Sequence, residues 1–251
     1  MMIFWALLPF VTFLILMAIE AMLAPAATPG AMGYSRTDIW LNAAGLGVQG
    51  VVVPLLSFGV GHILLPQLLP NSRGILPLGF GAAFCLSFIG VDLLYYWQHR
   101  AFHEIKALWP LHLTHHATPH LDIWATSRNC LMINGLFVFF LVNPWLGYLC
   151  RASDGFFAGA MLTATLDIWR HTRLTAQLNP LKGWLTRPID HHRHHDALKP
   201  AANFGANFML WDRLFGTADL EAPVPEAYAV AAPDSFWQQF LTPWKTPGDA
   251  S

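Results

Sequence analysis

Histidine is the residue type in this sequence whose number and spacing point most directly to chemistry. The 251 residues include 12 histidines against 14 lysines and arginines, and every histidine except His62 falls between His99 and His195. Neutral imidazole binds zinc, copper, iron and nickel ions. Because Trp, Leu, Phe and Pro residues interrupt the histidines, the pattern favours an ordered metal site over a solvated polar surface or a contiguous metal-buffering tract.

Nine of the clustered histidines follow simple spacing patterns. His99 and His103 form an H-x3-H pair, which on a helix places both imidazoles on one face. Two H-x2-H-H patterns follow, and a single His171 stands at the end of an apolar block. His120 and His192 are further candidates beside these groups. The predicted metal ligands are His99, His103, His112, His115, His116, His171, His191, His194 and His195.

This number of imidazoles exceeds what one ion needs, since a closed structural zinc site takes four ligands. Two ions with open coordination positions agree better with it. Thiolate ligands are not expected, because Cys85, Cys130 and Cys150 are scattered through apolar segments. A pair of redox-active ions beside a bilayer would suit O2 chemistry on a lipid.

Polar residues near the first histidine pair are candidates for orienting it. Asp92, Tyr96, His99 and His103 follow one another at steps of four, three and four residues, so they share one stripe of a helix. A metal-bound histidine usually donates its second N–H to a carboxylate or a carbonyl. Asp92 is therefore predicted to orient a histidine, and the alternative is that it pairs with a cation such as Arg170.

The same reasoning applies to Asp167, which precedes His171 by four residues. It is predicted to orient that histidine, with an ion pair to Arg170 as the alternative. Glu20 has no histidine near it in sequence and receives no role. His62 stands alone in an apolar block and is interpreted as an interior residue that forms its own hydrogen bonds, not as a ligand.

The elements that must position these residues are membrane helices. The chain is 55% hydrophobic and only 12% charged, whereas soluble domains carry about 25% charged residues. A net charge of −1 gives no electrostatic basis for binding nucleic acid. About 20 apolar residues span a bilayer, and the apolar blocks are Ile3–Leu23, Ile39–Leu69, Ile75–Trp97, Leu131–Leu149 and Phe156–Ile168.

These blocks predict an all-α integral membrane protein with four to five transmembrane or re-entrant helices. The first block lacks a preceding basic region, which favours a retained helix over a signal peptide, and it is followed by a Pro/Ala/Gly-rich break at Pro25–Gly33. The last two blocks form either two crossings or a re-entrant hairpin. In both cases the chain returns to the side it left, so that all histidine groups share one face.

The distribution of cations predicts which face that is. If the histidines are cytoplasmic, only Arg73 and Arg151 lie outside, and the other twelve of the 14 lysines and arginines lie inside. This bias predicts an external N-terminus, an internal C-terminus and a cytoplasmic helical cap over the dimetal site. A membrane metal transporter is the remote alternative, but its ligands should lie near the bilayer midplane rather than at the ends of spans.

Together these motifs carry a family resemblance. The segments Asp92–His103, Trp109–His116 and Pro188–His195, with Asn203-Phe-Gly205 and Trp211–Thr217, resemble the fatty acid hydroxylase / sterol desaturase superfamily. The resemblance implies a non-haem diiron enzyme that uses O2 to hydroxylate an unactivated C–H bond of a fatty acyl, sterol-like or carotenoid/isoprenoid lipid. A lipid desaturase with the same site is the alternative.

The resemblance also predicts domains and partners. Residues 1–85 would form N-terminal transmembrane helices, 86–217 the catalytic domain and 218–251 a cytoplasmic tail. Because that tail is too short for a fused haem or flavin domain, an external ferredoxin or haem carrier with its reductase would supply electrons. The end Pro247–Ser251 carries no ER-retrieval signal, which favours a bacterial inner membrane.

Two features differ from the family pattern. Many members have an Arg-x-His-Pro element where this chain reads Arg128-Asn-Cys-Leu131. The third histidine group has four histidines within five residues, so that His192 remains an alternative ligand to its neighbours.

Overall fold

Helices make up the regular structure of this chain. A computed structural model describes residues 2–23, 33–175, 179–221 and 223–244. Within these residues there is no β-strand, only the isolated bridges Leu76–Cys150 and Leu185–Phe208. The all-helical fold class is confirmed. Lys245, Pro247–Ser251 and the break at Pro25–Gly33, apart from Gly33, lie outside the described residues.

Within the described residues, four helices are long and apolar enough to cross a membrane, so the chain is an integral membrane protein. They are α1 Met2–Leu23, α2 Arg36–Leu68, α3 Phe80–Glu104 and α5 Leu131–Leu149. The other helices of the described part are α4 Trp109–His116, α6 Ser153–Arg170, α7 Pro188–His194, α8 Leu210–Phe215 and α9 Phe236–Leu241. Short 3-10 turns occupy Ile123–Ala125 and Asn179–Leu181. The fifth apolar block lies in α6, which packs against α1 and α3.

The two prolines of α2 are accommodated by wide turns. π-Helical segments at Val48–Val52 and Val60–Leu64 come directly before the pairs that contain Pro54 and Pro66. Proline lacks an N–H and its ring clashes with the carbonyl four residues earlier, and a wider turn makes room for it. The long second block is therefore one continuous helix.

Helices α5 and α6 form a hairpin whose tip lies far from the histidines. At the tip, Arg151 N donates to Leu76 O at 2.9 Å and Gly74 N donates to Tyr148 O at 3.1 Å. Helix α6 then runs back, and His171 directly after it lies beside the histidines of α4 and α7. The chain returns to the side it left, as the sequence predicted.

Two glycines allow α6 to approach α3 closely. A Cβ on Gly155 would lie 2.3 Å from Phe80 O, and a Cβ on Gly159 would lie 2.8 Å from Phe84 O. This G-x-x-x-G spacing is typical of helix contacts in membranes. The contact sets the distance between α3, which carries the first histidine pair, and α6, which ends at His171.

Candidate metal centre

The nine histidines predicted as ligands lie in two groups at one end of the helices. The ligand atoms of each group lie within 4.8 Å of one another. We name them the five-histidine group, which contains His99, His103, His112, His116 and His194, and the four-histidine group, which contains His115, His171, His191 and His195. Each group draws on several segments of the chain, so the site exists only in the folded protein.

The distances between ring nitrogens fit ligands that share an ion. The Nε2 atoms are 3.0 Å apart in the pair His99–His112 and 3.1 Å apart in the pairs His171–His191 and His116–His194. A metal–nitrogen bond of about 2.1 Å separates two ligands at a right angle by about 3.0 Å. Buried ring nitrogens without a hydrogen-bond partner, His103 Nε2 and both nitrogens of His195, also point to an ion.

Main-chain carbonyls hold the opposite side of four rings. Their Nδ1 atoms lie 2.7–3.1 Å from a carbonyl oxygen, in the pairs His99–Phe204, His115–Arg128, His171–Asp167 and His194–Ala202. A carbonyl can only accept, so each Nδ1 carries the proton and donates it. This tautomer leaves the Nε2 lone pair of each ring directed at the centre of its group.

Burial keeps the histidines of helices α4 and α7 in the neutral form that binds metal. Loss of solvation lowers the pKa of His115 to about 4. It also lowers the pKa values of His112, His116 and His191 well below the usual range, and neighbouring imidazoles lower them further. At neutral pH these rings therefore need not lose a proton before they bind an ion.

A tight loop after α7 carries the carbonyls that hold two of the rings. In it Asn203 adopts a left-handed conformation with φ 59°, and its Nδ2 donates to Asp190 O at 2.9 Å. Asp212 accepts from the backbone N–H groups of Phe204 and Gly205 at 2.7 and 2.8 Å. A Cβ on Gly205 would lie 2.2 Å from Phe208 O, so only glycine fits there.

The family of this chain follows from a comparison with known proteins. The fatty acid hydroxylase family model matches residues 84–217, just over half of the chain. The chain belongs to the fatty acid hydroxylase family. Both histidine groups and the loop around Asn203 lie within the matched segment.

Named relatives of the chain are lipid-modifying enzymes. Alkylglycerol monooxygenase of Danio rerio is 32% identical over 216 residues, which cover 76% of this chain and 46% of the relative. The Xenopus tropicalis enzyme of the same name is 29% identical over 181 residues, covering 65% and 39%. Ornithine lipid hydroxylase OlsE of Rhizobium tropici is 30% identical over 124 residues, covering 49% and 37%. The chain thus spans less than half the length of these relatives. No solved structure matches it at a significant level.

Asp92 contacts the loop beside the histidine groups. Contrary to the prediction, it forms no hydrogen bond to His99 in the described structure. Its two carboxylate oxygens accept from Asn207 N and Trp211 Nε1, both at 2.8 Å. The predicted role of orienting His99 directly is taken by Phe204 O. Asp92 therefore acts on the loop that carries this carbonyl. The prediction was wrong because the positions on one helix stripe do not show which loop will fold over that stripe.

Asp167 combines its two predicted alternatives, whereas Tyr96 supports the loop around Asn203. Asp167 pairs with Arg170 through its carboxylate, while its main-chain carbonyl accepts from His171. Tyr96 lies 3.0 Å from Thr217 Oγ1, which itself donates to Asp212. Tyr96 thus supports the same loop as Asp92 and forms no hydrogen bond to a histidine in the described structure.

The remaining histidines lie outside both groups. His120 Nε2 is 3.2 Å from Asp122 Oδ2. His192 has one ring nitrogen 2.7 Å from Tyr228 Oη and the other 2.9 Å from Thr172 O. His62 is exposed and stacks on Phe58, so the expectation of an interior position was wrong.

Arg128 is a residue of the site that sequence reasoning did not identify. It is fully buried, and its guanidinium donates to Thr114 O, Asp38 and Gln239. Its own carbonyl accepts from His115. A single arginine before an apolar block was a visible signal, but partners 90 and 111 residues away were not.

Proposed function

We propose that this chain is an O2-dependent lipid hydroxylase that holds two iron ions, one in each histidine group. The observation that supports this most is the arrangement of nine histidines in two groups with Nε2 pairs 3.0–3.1 Å apart. Imidazole-only ligation suits iron, and nine donors exceed the need of one ion. The family and the names of the relatives support the reaction class.

Bound iron would supply, together with O2, the oxidising chemistry that replaces hydrogen with hydroxyl at an alkyl carbon. The chain itself would bind and orient. Carbonyls such as Phe204 O and Arg128 O keep the imidazoles in one tautomer and direction. Burial of nearly all the site residues would keep bulk water from the reacting carbon.

We infer that the substrate is a membrane lipid with a polar head group. The relatives are named for alkylglycerols and an ornithine lipid, and both names describe hydroxylases or monooxygenases. The histidine groups lie at the ends of membrane helices, where an alkyl chain can enter from the bilayer. An external electron donor on the cytoplasmic side of a bacterial inner membrane would complete the reaction.

Metal content tests the two-ion site. We expect purified protein to carry close to two iron ions per chain when active. His115→Ala and His194→Ala should each weaken one group and lower the metal content, whereas His62→Ala should leave it unchanged because His62 is remote from both groups. Active wild-type protein with a single ion would contradict the proposal.

Lipid mass spectrometry tests the reaction. Cells that express the chain should accumulate a lipid heavier by one oxygen atom than its precursor, and cells with His115→Ala should not. A product lighter by two hydrogen atoms would assign desaturation instead.

A further inference from the structure

Glu20 is a buried carboxylate in the first membrane helix, and it contacts the histidine end of the molecule. Only 3% of the surface of Glu20 is exposed. Oε1 accepts from Arg173 N at 2.7 Å and from Arg173 Nε at 3.2 Å, and Oε2 accepts from Ile123 N at 3.3 Å. A carboxylate within a membrane span is costly, which makes a functional role the default hypothesis.

His192 of helix α7 forms a hydrogen bond to Thr172, which lies beside Arg173 in the loop that follows α6. Thr172 O can only accept, so His192 Nε2 carries the proton and donates to it at 2.9 Å. Nδ1 then accepts from the Tyr228 hydroxyl at 2.7 Å. Both nitrogens are thus used in hydrogen bonds, which explains why this buried ring, one residue from His191, lies outside the two groups.

These contacts run beside a pair of the nine histidines. Thr172 directly follows His171, and His192 directly follows His191. The Nε2 atoms of His171 and His191 are 3.1 Å apart. The bond from His192 to Thr172 therefore connects the same two segments one residue further along. Glu20 holds the backbone of the next residue in the loop, Arg173.

We propose that Glu20 and His192 are positioning residues that together set the spacing of His171 and His191. We call this pair of residues the clamp. The inference rests on the proposed two-ion function: the clamp would determine how tightly the four-histidine group binds its ion. The five-histidine group is held by other contacts, through Phe204 O and Ala202 O. Loss of the clamp should therefore affect one ion more than the other.

The test measures metal content and chelator competition on the purified full-length chain loaded with iron. Glu20→Ala and His192→Ala should each weaken one ion by about 10- to 100-fold, as is usual when a group that orients ligands is removed. The content should fall towards one ion per chain. Glu221→Ala is the matched control, since Glu221 is an exposed acid paired with Lys182.

Two further variants separate positioning from ligation and from general damage. His192→Gln keeps an acceptor for Tyr228 and a donor for Thr172, so it should restore both ions. Glu20→Ala combined with His191→Ala should lose no more metal than His191→Ala alone, because both act on one group. The double variant Glu20→Ala/His99→Ala should lose both ions, because each change affects a different group.

Several results would overturn the clamp. Two tightly held ions in both Glu20→Ala and His192→Ala would do so, as would an equal weakening of both ions. Loss of an ion in His192→Gln would make His192 a ligand instead. If Glu20→Ala does not fold, the His192→Ala and His192→Gln pair decides. Wild-type protein with a single ion overturns the proposed function itself, and the clamp falls with it.

Discussion

Main-chain carbonyl oxygens orient four of the nine histidines, and buried acids hold the loop that carries two of these carbonyls, those of Ala202 and Phe204. Asp212 and Asp92 accept backbone N–H groups of residues 204, 205 and 207. The carbonyls of Ala202 and Phe204 in turn accept from His194 and His99. Asp92 and Asp212 thus act on these two rings through the loop, whereas the carboxylate of Asp167 lies 3.5 Å from His171 Nδ1.

Replacement of Asp92 by asparagine tests this arrangement. An asparagine has one acceptor oxygen, so either Asn207 N or Trp211 Nε1 would face an NH2 group instead. We expect Asp92→Asn to cost about 1–3 kcal/mol of stability and to lower metal affinity of the five-histidine group about tenfold. Thermal unfolding and chelator titration would measure both. The control is Asp234→Asn at an exposed position, and equal behaviour of the two variants would contradict the role of Asp92.

The histidines were predictable from sequence because their spacing is a property of side chains, and helical periodicity brings such side chains together. The groups that orient them were not, since a main-chain carbonyl leaves no mark on residue type. Glu20 was also missed, because its partners lie 103 and 153 residues away in the chain. Only the cost of an acid in a membrane span marked it.

At the scale of elements, close backbone contacts determine where the helices carry the site. Gly45 of α2 packs against the segment that leads into Arg128, since a Cβ there would lie 2.0 Å from Ser127 O. A Cβ on Gly47 of the same helix would have no atom of another described segment within 4 Å. The two positions form a matched pair, because both are helical glycines.

We expect Gly45→Ala to destabilise the protein by about 1–3 kcal/mol, since backbone must move away from the new methyl group. The movement should also weaken the contact between Arg128 O and His115, and with it the metal affinity of the four-histidine group. Gly47→Ala should be neutral or slightly stabilising, because alanine favours a helix more than glycine does. Similar losses in both variants, measured by thermal unfolding and metal content, would contradict the packing argument.

At the scale of the whole molecule, residues outside the matched segment complete the site. Tyr228 contacts His192, Gln239 contacts Arg128, and Val230 N donates to His116 O at 3.3 Å. The chain after residue 222 therefore contacts the histidine segments α4 and α7 and the segment that contains Arg128. The domain limits 1–85, 86–217 and 218–251 stay a prediction, but the described parts of the outer segments share contacts with the middle one.

The two ends of the molecule differ in their number of lysines and arginines, and this difference predicts the orientation of the chain in the membrane. Arg151 lies at the hairpin tip, where a Cβ on Gly74 would lie 3.5 Å from its Cα, and Arg73 precedes that glycine. The other lysines and arginines belong to segments at the histidine end, except Lys245, which lies outside the described residues. Since cations are retained in the cytoplasm, we expect the histidine groups to face inward.

Reporter fusions measure this orientation in cells. A C-terminal alkaline phosphatase fusion should be inactive and a C-terminal fluorescent-protein fusion bright, because the last described helix, α9, contacts α4 at the histidine end. The positive control is alkaline phosphatase inserted between Asn71 and Ser72, in the loop between α2 and α3 that contacts the tip of the α5–α6 hairpin. This fusion should be active. The opposite pattern would place the histidine groups outside, where a cytoplasmic electron donor has no access to them, and the proposed source of electrons would have to be abandoned.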